Sequence, residues 1–223
     1  NNPNNQWENK KVFWILIGDS FVQGSCVQPG EDFASQIRIL TKQSAISLGM
    51  SGNGPLLELA SLIEYGLEKK PQIVLWFYFE RNDLEDLNKE KKHPILIKYL
   101  KDGFTQNLNS QQHILDKKLK EYIDYVEKDL QKESLPQKNA IGKFLAFKKI
   151  IRLQIIRDKT SLDRGLIFGV DPLFKQIMLN AKRIVNQWGG KLYFVYLPDK
   201  ERYSNNNVKD DTYLKRKQVL ELI

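Results

Sequence analysis

The stretch VFWILIGDSFVQG, residues 12–24, carries the reading of the fold. Six apolar residues run straight into Gly18-Asp19-Ser20, and a second glycine follows at Gly24. An unbroken run of branched and aromatic residues suits a strand covered on both faces, as in the parallel sheet of an α/β protein. In open α/β sheets ligands bind beyond the carboxyl ends of the strands, which would put Ser20 at the mouth of a crevice. Gly, Asp and Ser are also the commonest turn residues, so the triplet alone also fits a plain strand-to-loop turn.

Working outward, the spacing predicts a short helix in GEDFASQIRIL (30–40), a second strand in SAISL (44–48) ending at Gly49, and a crossover helix in PLLELASLIEYGLEKK (55–70), with Pro55 in the first turn. PQIVLWFYF (71–79) reads as a third, central strand that ends at Glu80-Arg81-Asn82-Asp83. Residues 84–170 turn helical and basic, through HPILIKYLKDGF (93–104), QQHILDKKLKEYIDYVEKDL (111–130) and AIGKFLAFKKIIRLQII (140–156), and are expected to form a helical insertion. DPLFKQIMLNAKRIVNQWGG (171–190) is a helix with Asp171 as N-cap and Pro172 at its first position. KLYFVYLP (191–198) is the fourth strand, and KDDTYLKRKQVLELI (209–223) starts another helix. The asparagine clusters near each end are expected to be loop.

A chain of 223 residues can build one large core, and a single α/β domain is expected over 1–223. No apolar run approaches the length of a membrane span. Cys26 is the only cysteine, which excludes an intrachain disulfide and a cysteine-based metal cluster, and it is expected to pack as a small hydrophobe. The opening NNPNNQWENKK has neither an initiating methionine nor a signal-peptide pattern, so the chain is expected to be part of something longer. Lys and Arg outnumber Asp and Glu by 35 to 27, and residues 87–160, with 17 basic against 9 acidic residues, hold the whole excess of +8. Such a segment could face an acidic glycan, anionic lipid or nucleic acid, or be a set of solvated helix faces. Its basic residues alternate with acids rather than forming a stripe with aromatics, so nucleic acid is not the expected partner.

Three strand ends carry small or polar residues: Gly18-Asp19-Ser20, GMSGNG at 49–54, and Asn82-Asp83. In a parallel sheet these loops share one edge, where a serine hydroxyl, a glycine N–H and an asparagine amide could form a nucleophile with an oxyanion hole. Here the chain resembles the SGNH, or GDSL, family of serine esterases, lipases and acyl hydrolases: GDSFVQG matches its first block, LGMSGNG its glycine block and RND its asparagine block, in order. The resemblance covers residues 12–83 well and the fourth strand more loosely. It implies a three-layer, flavodoxin-like parallel sheet with the helical insertion at 84–170, and an ester-bond hydrolase or acyl transferase working through a seryl-acyl intermediate without metal or cofactor. By it Ser20 is the nucleophile, and Gly52 and Asn82, with the Ser20 backbone N–H, form the oxyanion hole. The implied substrate is an acylated small molecule, lipid or glycan, the implied source bacterial and outside the cytoplasm; a monomer is expected.

Two departures stand out. The family usually has glycine before the block asparagine, where this chain has Arg81, which could narrow the site, meet an anionic substrate or point to solvent. The family's histidine lies in an Asp-x-x-His block near the C-terminus, whereas His93 and His113 both fall in the insertion, neither of them three residues after an aspartate, and are expected to decorate helix faces. Asp199 and Asp210 come too early for the family's aspartate. The expectation is that the C-terminal part of the domain, with a fifth strand and the catalytic Asp and His, lies beyond Ile223. The alternative is a catalytically incomplete binding module that holds an acidic glycan or protein through its basic insertion.

Overall fold

Four parallel strands make the sheet of the computed structural model, which describes residues 2–9, 11–132, 170–204 and 210–223. They are β1 (Trp14–Ile17), β2 (Ala45–Ser47), β3 (Ile73–Phe79) and β4 (Lys191–Leu197), in the spatial order β2-β1-β3-β4. Trp14 pairs with Ala45 on one side and Ile73 on the other, and Ile73 with Lys191, so all four strands run the same way. Strands 1 and 3 are therefore central, as their unbroken apolar runs predict.

The two faces of the sheet bury alternate residues, as the period of a strand requires. Ile15, Ile17, Val74, Trp76 and Tyr78 enter one cluster, with Leu56 and Leu59 of α4 (Pro55–Ser61) and Phe174, Ile177 and Ala181 of α9 (Pro172–Gln187). Leu16 and Phe77 enter the other, with Val22 of α2 (Ser20–Gln23) and Ala34 of α3 (Phe33–Thr41). Helices thus cover both faces. The crossover after β2 runs on from α4 through a π-helical turn, Leu62–Gly66, into α5 (Leu67–Lys69). After β3 come α6 (Asp83–Glu90) and α7 (Pro94–Lys98), and after β4 come α10 (Glu201–Ser204) and α11 (Asp210–Leu222).

By its contacts the chain forms two compact units, Asn1–Thr105 with Ile167–Ile223, and Gln106–Leu166. The sheet, α6 and α7 belong to the first. The second is described over 106–132, where a 3₁₀ turn, Asn109–Gln111, leads into the long helix α8 (Gln112–Lys132). The helix expected at 140–156 and the asparagine run at 205–207 lie outside the described residues.

Three expectations are corrected. The N-terminal asparagine cluster is not simply loop, because Asn4–Glu8 forms α1, and Trp7 supplies the reason: its ring packs on the core and meets Tyr65 edge-on at 6.3 Å. Before that helix, the Asn2 side chain bonds both the N–H and the C=O of Ser47, as a paired strand would. Cys26 does not pack as a hydrophobe; it is exposed, in the turn after α2. The helix read across 93–104 is only Pro94–Lys98, after which Tyr99 turns inward to bond the buried Glu64 at 2.7 Å.

Candidate functional site

Crowding explains the glycine of Gly18-Asp19-Ser20. A Cβ at Gly18 would lie 2.5 Å from the Val22 side chain and 3.2 Å from Phe77, so only glycine lets the chain leave β1 and turn into α2 beside β3. Asp19 is the N-cap of α2 and accepts from the Phe21 N–H at 3.0 Å. Ser20 opens the helix, half-buried, and its hydroxyl meets the Asp19 carboxylate at 3.4 Å. That is a long contact for an O–H donor, so the hydroxyl is held lightly.

Asn82 precedes α6 at the end of β3 and is buried. Its side chain also faces Asp19, and together with the Phe21 N–H and the Ser20 hydroxyl it draws the Asp19 pKa down; burial outweighs these donors and leaves that pKa raised. Ser20 and Asn82 therefore both lie beside the Asp19 carboxylate. Gly52 lies in the loop after β2, at the same sheet edge, in left-handed backbone with φ 88°. That loop is tied to the Ser20 turn by Met50 N–H to Gly18 C=O at 3.2 Å and Ser51 N–H to the Gln23 side chain at 2.8 Å. The contacts that join Ser20 to Asn82 do not run through Gly52.

Behind Asn82 lies a set of buried acids that the motif reading missed. Asp86 accepts from the Asn82 amide at 2.7 Å through one oxygen and from Lys89 at 2.8 Å through the other. Glu90 accepts from the N–H groups of Gly54 and Leu56 at 2.6 and 2.9 Å, capping α4 from a different helix; burial nevertheless raises its pKa to about 7. Asp83 accepts from the Phe79 N–H at 2.8 Å, and among the described residues its other oxygen has no donor. Glu58, fully buried in α4, has no hydrogen-bond donor among the described residues on either oxygen. Burial, then the neighbouring carboxylates, push Glu58 and Asp83 well above the carboxylate range, which favours their neutral forms. The signal was legible as NDLEDLNKE, whose acids at 83, 86 and 90 recur at helical spacing.

Arg81 points outward, about half exposed, with its guanidinium 3.6 Å from Asp199 after β4. Next to it the half-buried Glu80 is gripped by both ends of the Arg202 guanidinium, tying the end of β3 to α10. His93 precedes α7 and His113 opens α8; both are exposed. Among the described residues no group of three or more His, Cys, Asp or Glu is placed to hold a metal ion, and no helix is long and apolar enough to cross a membrane. A scan against family models returns no match to the chain, and a search of curated proteins returns none either.

Proposed function

We propose that the chain is an SGNH-like serine hydrolase domain that cleaves or transfers an acyl ester through a seryl-acyl intermediate. The observation that carries this reading is the placement of Ser20 and Asn82 beside one buried carboxylate, Asp19, which the Ser20 hydroxyl contacts at 3.4 Å and the Asn82 side chain faces. The strand order supports it. The flavodoxin-like order begins 2-1-3-4 and places its ligand at the switch point between strands 1 and 3, the strands that lead into Ser20 and Asn82. The three blocks that resemble the family supply the roles.

In this reading Ser20 Oγ adds to the acyl carbonyl, the carbonyl electron pair moves onto oxygen, and the hydroxyl proton passes to a base. N–H donors from Asn82, Gly52 and Ser20 hold the oxyanion. Collapse expels the alcohol, which takes up the proton, and water or a second alcohol then releases the acyl group by the same steps. The residue touching the Ser20 hydroxyl is Asp19, which meets it through Oδ2 at 3.4 Å while Oδ1 accepts from the Phe21 N–H; so long a contact orients the hydroxyl and leaves its deprotonation to another base. Neither histidine of the sequence follows the Asp-x-x-His pattern, the observation that favours the second reading, a binding module.

The test is turnover of p-nitrophenyl acetate by the wild-type protein beside Ser20→Ala, which should be slower by about a thousandfold or more, because a catalytic set without its nucleophile keeps only residual catalysis. Equal activity of Ser20→Ala and wild type would overturn the hydrolase reading.

A further inference from the structure

The Asn82 amide is oriented by something other than its own loop. Among the described residues its oxygen has no hydrogen-bond donor, so the orientation is set from the nitrogen side. There the bond to Asp86 is short, 2.7 Å, and both residues are buried, 4% and 5% exposed. A carboxylate only accepts, so Asp86 selects the NH₂ end of the amide; a flipped amide would set oxygen against oxygen. One N–H is then fixed on Asp86 and the other is left for the Asp19 and Ser20 side.

Asp86 is itself held in place. Lys89 binds its second oxygen at 2.8 Å, and its backbone N–H donates to the Asn82 carbonyl at 2.8 Å. Gly54, in the loop that carries Gly52, comes close enough that only glycine fits: a Cβ there would lie 2.9 Å from Asp86 Cβ and 2.8 Å from the Glu90 carboxylate. An exposed pair at this spacing would add a few tenths of a kcal/mol to a helix. A buried carboxylate bonded through both of its oxygens is more than helix support needs, and four other buried acids, Asp19, Glu58, Asp83 and Glu90, crowd the same region.

We infer that Asp86, anchored by Lys89, is the positioning residue for Asn82 and locks its amide with one N–H presented to the Ser20 side. The inference rests on the reading of Ser20 as nucleophile and Asn82 as oxyanion donor. Oxyanion stabilisation requires a donor fixed before charge develops, and misplacement by about 1 Å can cost about a hundredfold.

The experiment titrates residues 1–223 with phenylboronic acid and follows the tetrahedral boron signal by ¹¹B NMR, with a melting curve for each variant. The probe needs no turnover: Ser20 Oγ bonds to boron, and the hydroxyl proton leaves to solvent. Asp86→Leu should bind at least about tenfold more weakly, and Asp86→Asn, whose side-chain oxygen still accepts, should stay within about threefold of wild type. Lys89→Met, at a position a third exposed, should weaken binding severalfold and serves if Asp86→Leu does not fold. Wild-type affinity in Asp86→Leu, or in Lys89→Met where the former is unfolded, overturns the inference while leaving Ser20 in place. No adduct in wild type, or an equal one in Ser20→Ala, overturns the underlying reading and the inference with it.

Discussion

Asp19 joins the local turn to the chemistry, because the same carboxylate caps α2, touches the Ser20 hydroxyl and faces the Asn82 amide. At 4% exposure the charge is costly to bury, and the raised pKa shows that burial outweighs its three donors. The expected result follows from that balance. Asp19→Ala should lose the cap and leave the Phe21 N–H without its acceptor, at a cost of about 1–2 kcal/mol. Asp19→Asn keeps an acceptor for that N–H without burying a charge, and should lose less than half as much. Urea denaturation near pH 7 measures both, and equal losses would show that the charge, not the cap, is what matters. Sequence alone could not assign this role, since Asp in a Gly-Asp-Ser turn is explained equally well by turn geometry.

The same contest between burial and donors acts on whole elements through Glu90, which reaches from the last turn of α6 to cap α4. Its pKa, raised to about 7 against an ordinary 4.5, means that the folded chain binds a proton more tightly than the unfolded one between those values. Stability should therefore rise as pH falls from about 7 towards 4.5, by up to about 1.4 kcal/mol per pH unit for each such group. Glu58, Asp83 and Asp19 are shifted the same way and add to the slope. Asp32, Glu80 and Asp171 have lowered values, from their hydrogen bonds and ion pairs, and their contribution is lost below about pH 4, so the curve should turn over there. Denaturation midpoints across pH 4–8 test this, and Glu90→Gln should flatten the 4.5–7 limb. A flat wild-type curve would show that the buried acids are ionised and compensated. The acids were visible in NDLEDLNKE, but helical spacing does not say which face α6 turns inward; the close approach of Gly54 decides that, and it is a tertiary fact.

Across the whole molecule, what was legible follows from periodicity and what was not follows from distance in sequence. Strands 1 and 3 were readable because a strand buried on both faces must be apolar throughout, and helix 172–187 because Asp171 and Pro172 announce its start. The N-terminal helix was not, because it is held by Trp7 against Tyr65, 58 residues away in the π-helical turn. The charge imbalance is a further whole-chain property, and α8 gives it a local form. Lys117, Lys118 and Lys120 are exposed there, and Lys117 faces Glu121 only at 4.0 Å with both side chains largely in solvent. Such a pair contributes little to stability, so these charges are free to act on the surroundings. Replacing the three lysines with glutamine should leave the melting temperature within about 2 °C, while lowering the salt concentration at which the chain elutes from heparin. The attraction is a field that salt screens over about 10 Å at 0.1 M. An unchanged elution point would mean that these lysines lie on an ordinary solvated face and that the basic segment carries no partner through them.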